Sequence, residues 1–145
     1  MHLHISIAEQ RLVLHGAERP FSASVSTGKA GVGFDEGSGR TPTGRFRICS
    51  RHGINAPLLT TFRGRIPTGT LHAGETGDAI ITRILCLDGL DEANANTRAR
   101  YIYLHGTPHT ALLGTPASHG CIRLAPQAMA ELFELVPLGT QVTIE

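Results

Sequence analysis

The feature that most constrains this chain is how often its apolar runs are cut: 17 glycines and 8 prolines are spread through 145 residues. Glycine supplies left-handed backbone and proline removes an amide donor, so a chain punctuated this often favours short strands joined by turns over a bundle of long helices. Hydrophobic residues make up 41% of the chain and charged ones only 17%, which is enough apolar surface for one compact domain spanning 1–145. A formal charge of +1, with no run of five basic residues, supplies no global field for nucleic acid or an anionic membrane.

The apolar pattern has period two over much of the length. Leu3, Ile5 and Ile7 alternate with His4 and Ser6, Glu9-Gln10 forms a turn, and Leu12-Val13-Leu14 returns as an antiparallel partner. Phe21, Ala23 and Val25 alternate with serines as a third strand. The glycine-rich stretch 28–44 reads as a long loop closed by the turn Thr41-Pro42-Thr43-Gly44, before a strand from Arg45 to Ile48. Residues 51–79 show no period and read as a surface excursion, which together with 28–44 is expected to flank a site as a lid. Ala79–Leu87 is strand-like, Asp88-Gly89 turns it, 91–100 is a polar loop, and Tyr101–Leu104 is a short buried strand ending at His105. Met129, Leu132, Phe133 and Val136 fall at helical spacing, with Pro126 suited to a first turn, so a single helix over Pro126–Leu135 is expected before a last strand in Gly139–Ile144.

Three cysteines cannot all pair within one chain. Cys49 and Cys86 lie in apolar, strand-like surroundings and are expected as buried thiols rather than a disulfide. Cys121 differs: it stands in Ser118-His119-Gly120-Cys121-Ile122-Arg123-Leu124, with His105-Gly106-Thr107 upstream. A thiol in polar turn chemistry is placed as a nucleophile is placed, and a thiolate at neutral pH needs a nearby imidazole or positive dipole. His105 and His119 are the candidates, and alkylation of Cys121 well below the ordinary thiol range is the corresponding expectation. Gly120 permits a tight turn, and the Gly120 and Cys121 amides are candidates for holding an oxyanion. A contribution from the N-terminus of the following helix requires the turn to fold back.

The heptapeptide and the upstream His-Gly-Thr resemble the active-site signature of the L,D-transpeptidase catalytic domain, a family of bacterial peptidoglycan enzymes. The likeness extends to Gln10, Val25-Ser26-Thr27-Gly28, Thr41-Pro42-Thr43-Gly44, Arg83-Ile84-Leu85, Tyr101–Thr107 and Gly139-Thr140-Gln141-Val142, in that order, and leaves 51–77 unmatched. It implies a mainly β, β-sandwich-like domain with one helix after the Cys motif and no cofactor. Its implied chemistry is attack of Cys121 on a peptidoglycan stem tetrapeptide, release of D-alanine, and transfer of the thioester to an amine of a second stem as a 3-3 cross-link, in the service of cell-wall biogenesis and cell shape. A protein lysine, a free D-amino acid or water are alternative acceptors, the last giving an L,D-carboxypeptidase. Carbapenem β-lactams are the implied inhibitors, and a periplasmic or wall location is implied. The N-terminus Met1–Ile7 lacks the basic leader and apolar core of a secretory signal, which leaves a cytoplasmic form open.

On this reading His105 is the general base or the cationic partner of the thiolate. Gly106 offers a carbonyl to orient its ring, since no acidic residue lies close in sequence. His119 holds the oxyanion or relays a proton, or else shapes the turn. Arg123, Tyr103 and Ser118 are the substrate-side candidates: Arg123 as a fork for a carboxylate or in a surface ion pair, Tyr103 because it shares a strand face with His105, and Ser118 as a turn hydroxyl rather than a catalyst. Two rival classes stand beside the enzyme. One is a zinc domain using His105, His119, Cys121 and His109, against which the absence of a Cys-x-x-Cys argues; the other is a wall-binding module that has lost turnover, against which the intact Cys–His pair argues.

Overall fold

The computed structural model describes all 145 residues. Ten strands and one α-helix follow the chain: β1 (His2–Ser6), β2 (Arg11–His15), β3 (Phe21–Ser24), β4 (Gly44–His52), β5 (Thr60–Arg63), β6 (Ile66–Leu71), β7 (Ile80–Gly89), β8 (Tyr103–Gly106), β9 (Ile122–Leu124), α1 (Pro126–Leu135) and β10 (Gln141–Ile144), with a single 3₁₀ turn at Thr110–Leu112. The fold is mainly β, as the punctuation of the sequence requires.

Strand order places β3-β2-β1-β10-β4-β7 side by side; β5 and β6 extend from the start of β7, and β8 then β9 pair beyond it. The sheet folds back on itself, because Ser26, just past β3, exchanges both backbone hydrogen bonds with Arg123 of β9, at 3.0 and 2.9 Å. This closure removes most of the open edge and encloses 21 buried residues, among them Leu3, Ile5, Phe46, Leu104, Ile122 and Leu124. Helix α1 buries Met129, Leu132 and Phe133 against this core, the spacing that its sequence shows.

Three expectations are corrected. The 51–79 segment is not irregular: it contains the tail of β4 and the β5–β6 hairpin, turned by Gly64 and Arg65, both left-handed at φ 58° and 68°. This is the geometry of a two-residue hairpin loop with positive φ at both centres. All six residues of β6 are exposed, so no inward face imposes an alternation that a sequence reading can detect. Strand β7 runs through Asp88-Gly89, because Arg47 and Phe46 of β4 continue to pair with them. Tyr101 is not in a strand; it is 60% exposed at φ 58°, and the strand begins at Tyr103.

Strand β7 carries the irregularity that shapes the site. Its pairing with β8 jumps from Ile81↔Gly106 to Ile84↔His105, so Thr82 and Arg83 form a bulge, and Thr82 is held at φ 78° with its buried hydroxyl unpartnered. A β-branched residue in left-handed backbone is strained. Gly106 fits against the bulge only without a side chain: a Cβ there lies 2.7 Å from both the Ile81 carbonyl oxygen and the Thr82 hydroxyl. Gly106→Ala is therefore expected to cost about 1–3 kcal/mol, the range for overpacking a filled site. Chemical denaturation reads this as a lowered midpoint; a midpoint equal to the parent's contradicts the close approach.

Candidate active site

Strands β8 and β9 are parallel, with Leu104↔Ile122, His105↔Arg123 and Gly106↔Leu124 in register. Paired residues face the same way, so Leu104, Ile122 and Leu124 enter the main core while Tyr103, His105 and Arg123 share the opposite face. Cys121 arrives on that face at the end of the turn: its sulfur accepts the Tyr103 N–H at 3.4 Å and donates to the Tyr101 carbonyl at 3.3 Å. It packs with Tyr103, Phe62, Ile84 and Cys86 in a second, smaller apolar cluster. Cys86 is buried, Cys49 is half-buried at a bulge in β4, and all three thiols are free.

The turn bearing Cys121 is braced from several sides. The Ser118 hydroxyl donates to the Cys121 carbonyl at 2.6 Å and accepts the Gly120 N–H at 3.1 Å. Thr41 donates to the Gly120 carbonyl at 2.9 Å and accepts the Gly28 N–H at 2.8 Å, which ties the 28–44 loop to the turn as a buttress. Buried Gln10 grips Thr27 by its backbone N–H and its hydroxyl, and the Thr27 carbonyl receives the Ala117 and Ser118 amides. Gly120 sits at φ 120°, with the Arg40 carbonyl 3.1 Å from where a Cβ would be, so only glycine is unstrained there.

The site residues expected from the sequence separate into two groups. His105 is buried, and its Nδ1 lies 2.8 Å from the Gly106 carbonyl oxygen. A carbonyl only accepts, so Nδ1 carries the proton and the lone pair of Nε2 is left for a proton from a reacting group. Burial lowers the pKa of His105, opposed by the Gly106 hydrogen bond and by Asp78 and reinforced by Arg123. Tyr103 lines the inner wall beside it, its own hydroxyl pushed up to about 12 chiefly by burial.

The others take different roles. The Gly120 amide donates to the Ser118 hydroxyl, while the His119 and Cys121 amides take no partner within the protein. Ser118 is buried and shapes the turn, out of a substrate's reach. Arg123 is 3% exposed and donates to Asp78 at 3.2 Å, so it is neither an open fork for a substrate carboxylate nor part of a surface pair. His119, 84% exposed, pairs through Nδ1 with the same Asp78 at 3.0 Å. No group of three metal-ligating side chains forms around His105, His119 and Cys121. Helix α1 begins only after β9, so a strand and not the helix directly follows Cys121. Sequence reading misses Asp78, the partner of His119, which stands 41 positions away in the segment without a recognisable period.

Burial raises Cys121 to about 11, with the Tyr103 N–H opposing and Asp78 adding to the rise. Both shifts favour a neutral thiol and a neutral imidazole in the resting site over an ion pair. Alkylation of the resting protein by iodoacetamide is expected to keep accelerating above the range of a free thiol, with an inflection near 11. An inflection at neutral pH or below contradicts a neutral resting thiol.

The sequence profile of the L,D-transpeptidase catalytic domain (YkuD) family matches residues 1–144. YkuD of Bacillus subtilis, a candidate L,D-transpeptidase, is 46% identical over 41 residues, 28% of this chain and 25% of that protein, so the match spans about a quarter of that relative's length. The L,D-transpeptidase of Xylanimonas cellulosilytica has the same fold at a TM-score of 0.65 and 20% identity, covering 99% of this chain and 59% of that one. L,D-transpeptidase 3 of Mycobacterium tuberculosis, solved with a faropenem-derived adduct, superposes at 0.59 with 16% identity, over 99% of this chain and 59% of that one. The chain belongs to the L,D-transpeptidase catalytic domain family.

Proposed function

We propose that this chain is a peptidoglycan L,D-transpeptidase in which Cys121 forms a thioester with a stem tetrapeptide and passes the acyl group to an amine. The observation that carries this reading is the parallel β8–β9 pair, which brings the Cys121 thiol to the face of a buried His105 whose free nitrogen is fixed by the Gly106 carbonyl. In the first half-reaction the Cys121 sulfur attacks the carbonyl carbon preceding the terminal D-alanine, and the thiol proton passes to His105 Nε2. Collapse of the tetrahedral intermediate breaks the C–N bond, and His105 returns the proton to the departing amine. In the second half, an acceptor amine loses its proton to His105 as it attacks the thioester, and the sulfur leaves and regains the proton. The Cys121 amide, which takes no partner within the protein, is the donor assigned to the developing oxyanion.

A groove of about 630 Å³ between the β5–β6 hairpin and the start of β7, walled by Thr61, Thr68, Thr70 and Asp78, adjoins this face and offers room for a peptide chain. The faropenem-derived adduct of the mycobacterial relative and the imipenem complex of another L,D-transpeptidase support β-lactams, carbapenems among them, as inhibitors.

Mass spectrometry of products from a disaccharide-tetrapeptide substrate tests the reading. The expected product is a dimer one D-alanine lighter than two substrates, with free D-alanine. Tripeptide alone identifies an L,D-carboxypeptidase using the same thioester, and unchanged substrate contradicts the proposal.

A further inference from the structure

The mechanism above leaves one carboxylate unused. Asp78, 32% exposed, precedes β7 and holds two side chains at once: Oδ2 takes His119 at 3.0 Å and Oδ1 takes Arg123 at 3.2 Å. These two residues bracket Cys121, one on the turn before it and one on the strand after it. Arg123 has little other support, since its second terminal nitrogen reaches Ser26 only at 3.5 Å and its buried Nε has no partner. Asp78 is held in place in turn by Gly77, which is left-handed at φ 106° and whose carbonyl accepts a hydrogen bond from His109.

We infer that Asp78 is a positioning residue: one carboxylate clamps His119 of the turn to Arg123 of β9, fixing the segment that presents Cys121 and balancing the guanidinium buried beside His105. The inference rests on the acyl-transfer reading of the site and adds to it a residue outside the family's sequence signature. Three further observations support it. Asp78 stays ionised: its burial alone would raise the pKa, but the His119 hydrogen bond and the Arg123 charge outweigh this and hold it below the ordinary range. Arg123 is the Cα partner of His105, and the ionisable groups acting on His105 are Asp78, which favours its protonation, and Arg123, which opposes it. Removing the carboxylate leaves a buried guanidinium uncompensated, the costly way to break such a pair. The consequence for His105 has a definite sign: facing an unbalanced positive charge, it becomes a weaker base and titrates at lower pH.

The test compares Asp78→Asn and Asp78→Glu with the parent, reading the rate of carbapenem acylation of Cys121 across pH and the imidazole titration of His105 by NMR. Asp78→Asn is expected to slow acylation about 10- to 100-fold, the scale of a misplaced reacting group, and to move both the acid limb and the His105 titration to lower pH. Asp78→Glu is expected to recover most of the rate and the parent's limb. If Asp78→Asn does not fold, the paired variant Asp78→Asn with Arg123→Met removes both charges together; a slowed rate with a limb near the parent's supports the clamp. Parent-like rate and limb in a folded Asp78→Asn, or in the paired variant a parent-like rate or a limb still shifted to lower pH, overturns it and leaves the proposed function standing. A parent that never acylates removes the proposed function instead, and the NMR titration then still decides Asp78: a His105 titration unmoved in Asp78→Asn overturns its charge-balancing role.

Discussion

Replacing Cys121 by alanine is expected to reduce acylation by a carbapenem and release of D-alanine from a stem tetrapeptide by about 10⁴-fold or more, the scale of losing a covalent nucleophile. The fold is expected to survive, because the side chain is half-buried at the edge of the smaller apolar cluster and its two hydrogen bonds are single contacts to backbone groups of Tyr101 and Tyr103. Cys121→Ser is expected to be nearly as inactive, since a hydroxyl of much higher pKa beside the same neutral imidazole is a far weaker nucleophile. Rates near the parent's in the alanine variant remove the mechanism. Loss of activity in folded Cys49→Ser or Cys86→Ser with retention in Cys121→Ala moves it to another thiol.

His105→Gln carries the second large effect. A neutral thiol with a pKa of about 11 yields almost no thiolate at neutral pH, so acylation depends on proton transfer to His105 during attack. Removing that base is expected to slow acylation by about 100-fold or more at neutral pH, with the residual rate rising with pH as hydroxide takes over the deprotonation. In the parent, the lowered pKa of His105 keeps the neutral, acceptor form present below the ordinary histidine range, so the acid limb of the pH–rate profile is expected below about 6.5. A limb above that value, or a glutamine variant with parent-like rate, contradicts the role. The same burial has a stability signature. The unfolded chain takes up a proton on His105 at higher pH than the folded one, so this contribution to stability is complete above about pH 6.5 and is lost as pH falls through the lower folded value.

Much of this site was visible in the residues. The alternation of Leu3, Ile5, Leu12 and Leu14 specifies paired strands because one face of each is buried, and the spacing of Met129, Leu132 and Phe133 specifies the helix for the same reason. Cys121, His105 and the Gly106 carbonyl are local in sequence, and so is the face shared by Tyr103 and His105. What was not visible is what depends on distant partners. The β5–β6 hairpin buries too little to leave a period, and its Gly64-Arg65 turn lacks the usual Asn-Gly or Asp-Gly signal. The partners of Arg123 and His119 come from residue 78, so neither residue's role is written in the heptapeptide that contains it. The raised thiol is likewise a property of burial on the folded face, while the sequence offers only a cysteine among polar neighbours, which reads as an activated thiolate. Gly120 shows both sides: the tight turn it permits was legible, but the Arg40 carbonyl that approaches it was not.

The central claim is that Cys121 becomes an acyl thioester with His105 as its base. Acid-quenched incubation with the disaccharide-tetrapeptide, followed by peptide mapping, measures it most directly. The account predicts that the peptide containing Cys121 gains the mass of the substrate less D-alanine within a turnover, that hydroxylamine removes this mass, and that His105→Gln slows its appearance. A stable adduct on any other residue, or cross-linked product formed while the Cys121 peptide stays unmodified at every time point, contradicts it.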